Sequence, residues 1–308
     1  MSKDRLPKLG LVCITASNEV RFRTVTRRTL SKLSSSEQQA KLKAIYRENI
    51  ERLAKAIAFC HREQIELYRL SSALFPFADE PVGEAILDEF APQLAQIGDR
   101  ATQHQIRLVL HPNQFVVLNS DRQEVVENSF KILKTHAHIL DLLGLPRSPW
   151  ALMNIHGGKG DRAQRLIDNI QQLPPNVYSR ITLENDEHTY SSQAIANICQ
   201  IAGIPMVFDA HHHLVHENLD SYDRPSVGEM LELAKTTWKQ PQWQLVHISN
   251  GKEHLHDTKH SNTIVNMPSS FQNVPWIEVE AKHKERAIRQ LRQEWLPSIR
   301  ETVSVATR

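Results

Sequence analysis

Glycine and cysteine are both scarce in this 308-residue chain, at 10 and three residues, and each scarcity removes a class of protein. Cys13, Cys60 and Cys199 are an odd number at wide spacing with no CxxC pair. Neither a disulfide framework nor a cysteine zinc module is therefore expected, and a reducing, cytoplasmic setting is. The glycine-bearing segment HGGKGD (156–161) has no Walker or dinucleotide fingerprint around it. It reads either as a plain turn or as a loop whose backbone and Lys159 approach a phosphate or a metal. No apolar run nears the roughly 18 residues of a membrane span, and the opening MSKDRLPKLG lacks the apolar core of a signal peptide. An excess of one charge is missing too: 37 Lys and Arg face 35 Asp and Glu, for a net +2. With 40% hydrophobic residues, that balance excludes disorder as the dominant state. What is abundant is histidine, at 16 residues. The imidazole titrates near neutrality and is the commonest metal-ligand side chain, so its placement decides the reading.

Eight short β-rich apolar runs recur along the chain, at 9–14, 65–70, 106–111, 150–156, 180–184, 205–209, 243–249 and 275–280. Between them lie segments of helical periodicity, clearest at 37–62, 83–104, 121–143, 160–172, 190–202 and 284–303. Ser36, Ser120-Asp121, Gly144 and Gly203-Ile204-Pro205 supply start and stop signals. Strand and helix alternating eight times without a break in composition predicts an α/β fold, a single (β/α)8 TIM barrel spanning 1–308. A doubly wound sheet is the weaker alternative. The seventh connection, 250–274, is polar, rich in His and Lys, and shows only a weak helical pattern.

In such a barrel the C-terminal ends of the strands line the active site. Reading the eight run ends gives Cys13-Ile14-Thr15, Leu70-Ser71-Ser72, His111, His156, Glu184, Asp209, His247 and Glu280. One His or Asp at a strand end is more often a structural hydrogen bonder, but six metal-ligand types at matching positions converge three imidazoles and three carboxylates on one point. Mixed nitrogen and oxygen donors suit Zn, Mn or Fe, and the carboxylate share suits more than one ion. Paired metals about 3.5–4 Å apart are the usual apparatus of phosphodiester hydrolysis. In FDAHHHLVH, the spacing from Asp209 to His212 lets both face the site, which turns His211 and His213 elsewhere. His260, 13 residues after His247, is placed to fold back over the pocket, with His254 and His256 as rivals. His136 and His138 read as helix-surface or packed residues, and His61, His104, His188, His216 and His283 carry no strong signal.

Two features address the substrate. Arg21, Arg23, Arg27, Arg28 and Lys32 fall in one acid-free stretch after the first strand, a strip on the catalytic face that favours a polyanion, or else a solvated basic loop. In HPNQFVV (111–117), Gln114 and Phe115 follow a ligand candidate on a loop. There they could wedge into a base stack beside extruded bases, with burial of Phe115 in the core as the alternative.

The motifs LHPNQFV (110–116), NIHGG (154–158), TLENDE (182–187), VFDAHHH (207–213), LVHIS (245–249), Lys259-His260 and EVEAKHKE (278–285) resemble those of the UV damage endonucleases, relatives of endonuclease IV and the xylose isomerase-like barrels. The resemblance runs through nearly the whole chain. It implies a metal-dependent, manganese-favouring DNA repair nuclease, with Zn or Mg as alternatives, that nicks damaged duplex DNA immediately 5′ of a UV photoproduct: a cyclobutane dimer, a 6-4 product or an abasic site. Such a cut leaves a 3′-hydroxyl and a 5′-phosphate. Up to three ions are implied, one on His111, His156 and Glu184, a second on Glu184, Asp209, His247 and Glu280, and a third on His212 and His260. Glu184, Glu280 and His247 would carry catalysis, Gln114 and Phe115 would probe the duplex, and the enzyme would be monomeric, without membrane attachment. Three positions depart from the family pattern. Leu245 stands where some members have a lysine that can be carboxylated, Ala73 where some have a histidine ligand, and Leu11 where some use an aromatic near the lesion. A sugar isomerase or epimerase on the same barrel, or a non-catalytic damage-binding relative, are the competing expectations.

Overall fold

The computed structural model describes residues 6–306. Eight parallel strands close into one barrel in sequence order: β1 (Lys8–Val12), β2 (Leu67–Leu70), β3 (Arg107–Leu110), β4 (Met153–His156), β5 (Ile181–Glu184), β6 (Met206–Asp209), β7 (Leu245–Ile248) and β8 (Trp276–Val279). The helices outside it are α1 (Arg27–Leu30), α2 (Ser35–Arg62), α3 (Pro81–Asp88), α4 (Ala91–Gln103), α5 (Gln123–Leu142), α6 (Ala163–Gln171), α7 (Pro175–Tyr178), α8 (Ser192–Ala202), α9 (Ala210–His216), α10 (Pro225–Thr236) and α11 (Glu285–Ala306). The expected eight-unit barrel is what forms.

Differences from the sequence reading have local causes. The long helix starts two residues earlier than Ser36 implies, because Ser34 closes a reciprocal capping box with Glu37. The segment 83–104 is two helices, not one. Pro92 lacks an N–H and is tolerated in a first turn, so the chain restarts at Ala91. The FDAHHH stretch is no plain turn: Asp209 accepts from the amides of His211 and His212 and caps α9. The 250–274 connection forms only a 3-10 turn at Ser269–Asn273 and one antiparallel bridge from Gly251 to His260.

Strand alternation divides the barrel wall into two environments. Leu9, Leu11, Leu108, Ile155, Leu183, Phe208, Val246 and Ile277 face outward into the core shared with the helices. The inward set begins, toward the N-terminal ends, with Leu67, Val109, Leu152, Val207, Leu245 and Trp276, packed with Trp238. Gly10, in register with Leu67 and Glu278, is small by necessity, because a Cβ there would lie 2.6 Å from Leu67. Arg107 lies fully buried near this floor, and its guanidinium donates to the carbonyls of Trp150, Trp243 and Pro149 at 2.8–2.9 Å. Burial pushes it down to about 9, which leaves it a cation at neutral pH. Leu11 is wholly enclosed in the sheet–helix layer, which corrects the expectation that this position bears on the lesion. Residues 10 and 12 of β1 share the inward phase, so residue 11 points away from the site.

One core histidine sets a pH limit on this packing. His136 of α5 is buried and its Nδ1 has no hydrogen-bond partner; burial pushes it down to about 4. Since its folded value lies below the unfolded value of about 6.5, the stability it carries is full above that value and is lost as the pH falls toward 4. Replacing His136 with Leu is expected to remove about 3 kcal/mol of the acid-dependent loss between pH 7 and pH 4. Urea unfolding of both proteins at the two pH values measures this, and parallel losses would refute it.

Candidate metal centre

Moving up the lumen, the inward positions turn polar. Parallel register places His156 beside Glu184, Asp209 beside His247, and His247 beside Glu278. Neighbouring strands direct paired residues to the same face, so these side chains enter one space. Glu184 is its centre. Its Oε2 lies 3.3 Å from His111 Nε2 and 3.9 Å from His156 Nε2, while Oε1 lies 3.2 Å from both His212 Nδ1 and His247 Nδ1. Asn154 donates to the same carboxylate and is itself held by Thr182. The Glu184 carboxylate is therefore oriented from below and faced by four imidazoles.

Three sets of donor atoms close to within 4.8 Å: His111, His156 and Glu184; Glu184, Asp209 and His212; His247, Glu278 and Glu280. These buried His, Glu and Asp groups could hold metal ions, and their oxygens point the same way. Asp209 Oδ1 caps α9, but its Oδ2 is buried with no hydrogen-bond partner. An unpaired buried carboxylate oxygen costs kilocalories unless a cation answers it, so the donor set fits divalent ions of mixed nitrogen and oxygen preference.

The fields follow from this crowding. Burial alone would raise Glu184 and lower His212 and His247, but the mutual attraction wins. Glu184 is held well below the ordinary carboxylate range by His247 and His156. His212 is raised well above an ordinary imidazole by Asp209 and Glu184, and His247 by Glu184 and Glu278. Glu280 is lowered against its burial chiefly by Arg69, whose Nη1 contacts Glu278 Oε2 at 2.9 Å and Glu280 Oε1 at 2.5 Å.

The six strand-end residues all reach this space. His260 folds back over it, with Nδ1 3.7 Å from Glu280 Oε2, and Gly251 permits that hairpin, since a Cβ would lie 2.0 Å from the His254 carbonyl. The structure groups His212 with Asp209 and Glu184, and His260 falls in none of the three donor sets. Three other histidines are held locally. His211 contacts Tyr222 and the Asp257 carbonyl, His213 contacts Ser192 and Ser226, and His256 contacts the Leu219 carbonyl. Glu278, Arg69, Asn154 and Glu187 escape the sequence reading. The signal for Glu278 is its two-residue offset from Glu280 on one strand; Glu187, 3.4 Å from His212 Nε2, lies inside TLENDE.

Around the rim, Gln114 and Phe115 are exposed, Phe115 at 64%, so it packs into no core. Within the basic strip, Arg23 pairs with Glu48 at 2.5 Å and Arg27 with Glu80. Arg28 and Lys32 are exposed and, like Arg21, make no ion pair among the described residues. Buried Glu285 accepts from the amides of Ala16 and Ser17 at 2.7 and 2.9 Å, tying the loop ahead of the strip to α11. Leu245 lies in the lumen one inward step below His247, enclosed by the apolar floor. Ala73 is an exposed loop residue.

Residues 7–307 match the family described as UV-endonuclease UvdE. The chain belongs to that family. A UV DNA damage endonuclease of Nostoc sp. is 55% identical over 298 residues, covering 96% of this chain and 92% of the relative. The crystal structure of SacUVDE superposes with a TM-score of 0.77 at 28% identity, covering 93% of this chain and 98% of that one. Endonuclease IV from Thermus thermophilus, at 12% identity and a TM-score of 0.60 over 95% of this chain and all of that one, shares the barrel fold. Among UvdE proteins the present chain thus carries His and carboxylate donors at six strand ends. No described helix is long and apolar enough to cross a membrane.

A divalent cation entering this cluster must compete with protons, because the surrounding carboxylates hold them on His212 and His247 more tightly than on an ordinary imidazole. Binding at pH 7 is expected to release protons and to weaken as the pH falls. Titration calorimetry in buffers of different ionisation enthalpy reads the release; none at pH 7 would contradict the charged state of these two imidazoles.

Proposed function

We propose that this UvdE-family chain is a DNA repair endonuclease that hydrolyses the phosphodiester immediately 5′ of a UV photoproduct, acting as a single barrel domain, a monomer and a cytoplasmic protein. What carries the reading is the set of four imidazoles facing the one buried carboxylate of Glu184 at the open end of the barrel. That its Nostoc relative is a UV DNA damage endonuclease supports the substrate. When bound, up to three divalent ions, Mn first and Zn or Mg as alternatives, would supply charge stabilisation at the phosphate and lower the pKa of water.

The chain's own residues divide the remaining tasks. His111, His156 and Glu184 would hold one ion, Glu184 shared with a second set drawn from Asp209, His247 and Glu280, and His212 with His260 serving a third. In hydrolysis a water oxygen joins phosphorus and the bond to the 3′ oxygen breaks. That oxygen leaves with a proton, so the nick carries a 3′-hydroxyl and a 5′-phosphate. Arg21, Arg23, Arg27, Arg28 and Lys32 would neutralise backbone phosphates along the approach. Gln114 and the exposed ring of Phe115 would fill the stack vacated when the damaged dinucleotide is flipped out. Leu245 and Ala73 reduce the polar donors near the ions and bear on lesion range.

Nicking of labelled duplexes carrying a cyclobutane dimer, a 6-4 product or an abasic site, with Mn present, tests the whole scheme. Glu184→Gln and Glu280→Gln are each expected to lower the rate by about 100-fold or more, whereas uncut duplex with intact binding would make the protein a damage binder. Phe115→Ala is expected to cost about 10-fold in preference for damaged over intact DNA, a stacking contribution of about 1–3 kcal/mol, with metal content unchanged. Loss of bound metal in that variant would move Phe115 out of its assigned place. Arg28→Gln should weaken binding to any duplex and flatten the log–log salt dependence by about one unit. An unchanged slope, as for a sugar isomerase that never meets a polyanion, removes the strip from the interface.

A further inference from the structure

His247, like His212, has a carboxylate against each ring nitrogen. Nδ1 faces Glu184 Oε1 at 3.2 Å and Glu280 Oε1 at 3.4 Å, on the side where the other donors gather. Nε2 faces Glu278 Oε2 at 2.8 Å, on the side of the apolar floor. Neither nitrogen is aligned for a full hydrogen bond, and on giving up one proton to an ion the ring could keep the other on either nitrogen. If Glu278 is a metal ligand beside His247, Nε2 must give up its proton and Nδ1 must keep one. If Glu278 instead accepts the Nε2 proton, Nδ1 is the free donor, aimed between Glu184 and Glu280.

Resting on the metal-centre reading above, we infer that Glu278 is a positioning residue and not a ligand: it fixes the Nε2–H tautomer of His247 and so aims Nδ1 at the ion. Three observations favour this. Glu278 lies one inward layer below Glu280 and in register with His247 itself, so it stands behind the ring, away from His111, His156 and His212. Its Oε2 is already shared by His247 and by Arg69 Nη1 at 2.9 Å. Arg69 also reaches Glu280 Oε1, and one buried guanidinium thus spaces the orienting carboxylate from the carboxylate that Nδ1 faces. Carboxylates behind ligand imidazoles orient the ring and sharpen its basicity. Arg69 acts one step further back, by holding Glu278 in place.

The test uses the full chain with ¹⁵N-labelled histidine and Zn²⁺ as a diamagnetic probe, His247 being assigned by His247→Gln. Long-range ¹⁵N–¹H correlations are expected to show the proton on Nε2 of His247 in the zinc-loaded protein. Glu278→Gln, whose amide oxygen still accepts that proton, should keep the tautomer and the number of zinc ions bound, with affinity lower by about 10–100-fold. Glu278→Leu, which cannot accept that proton, should keep the ion count and lower zinc affinity further than Glu278→Gln does. Should either variant fail to fold, Arg69→Lys is expected to weaken zinc in the same direction without loss of an ion. A zinc ion lost outright in Glu278→Gln or in Arg69→Lys, or a proton found on Nδ1 in the wild type, would overturn the assignment. Wild-type protein that takes up no zinc would instead sink the metal-centre reading and this inference with it.

Discussion

The structure depends on keeping four carboxylates, Glu184, Asp209, Glu278 and Glu280, inside a barrel lumen with one guanidinium, that of Arg69, against the last two. Charges taken out of water are tolerated only when opposed at short range. The imidazoles of His212 and His247 serve that purpose, and divalent ions would take over from their protons on binding. The same balance that makes the cluster foldable makes it receptive to metal. An isolated carboxylate here would be a liability; a crowd of them with histidines between is a cation site.

The lower half of the barrel makes that arrangement possible. Leu67, Val109, Leu152, Val207, Leu245 and Trp276 form a dry floor, so the polar layer cannot relax downward and has one open direction, toward the rim. Arg107, buried below with carbonyls and indole faces about it, supplies fixed positive charge beneath the acidic layer. Leu245 belongs to the floor, and a charged side chain at that position would enter the acidic layer from below. At the rim, backbone–side-chain ties such as Glu285 to the 16–17 amides and Asn119 to Lys159 fasten the loops to α11 and to one another, while Phe115 is left exposed among them.

The alternation of eight apolar runs with helical segments is a local property of the chain, and it is readable because side-chain period follows from backbone geometry. Strand ends are readable for the same reason. His111, His156, Glu184, Asp209, His247 and Glu280 each end an apolar run, and each reaches the lumen. The 83–104 segment reads as one helix because composition does not show where a proline must restart a helix. Glu278 escapes a reading that takes only the last polar residue of each run, although its parity matches that of Glu280. Only the resemblance sets position 11 near the lesion, since GLVC contains no polar residue to show the inward phase of β1.

The sequence by itself determined which residues could be donors, since residue type and position along a strand are covalent facts. Only closure of the barrel decided which donors share a space. Neighbouring strand ends meet through register between segments distant in the chain, as when residue 69 of β2 reaches 278 and 280 of β8 across β1. Register is set by packing of the whole sheet and is invisible in any one run. For that reason His212 joins Asp209 and Glu184 while His260 approaches Glu280, and Glu278 comes to stand behind His247.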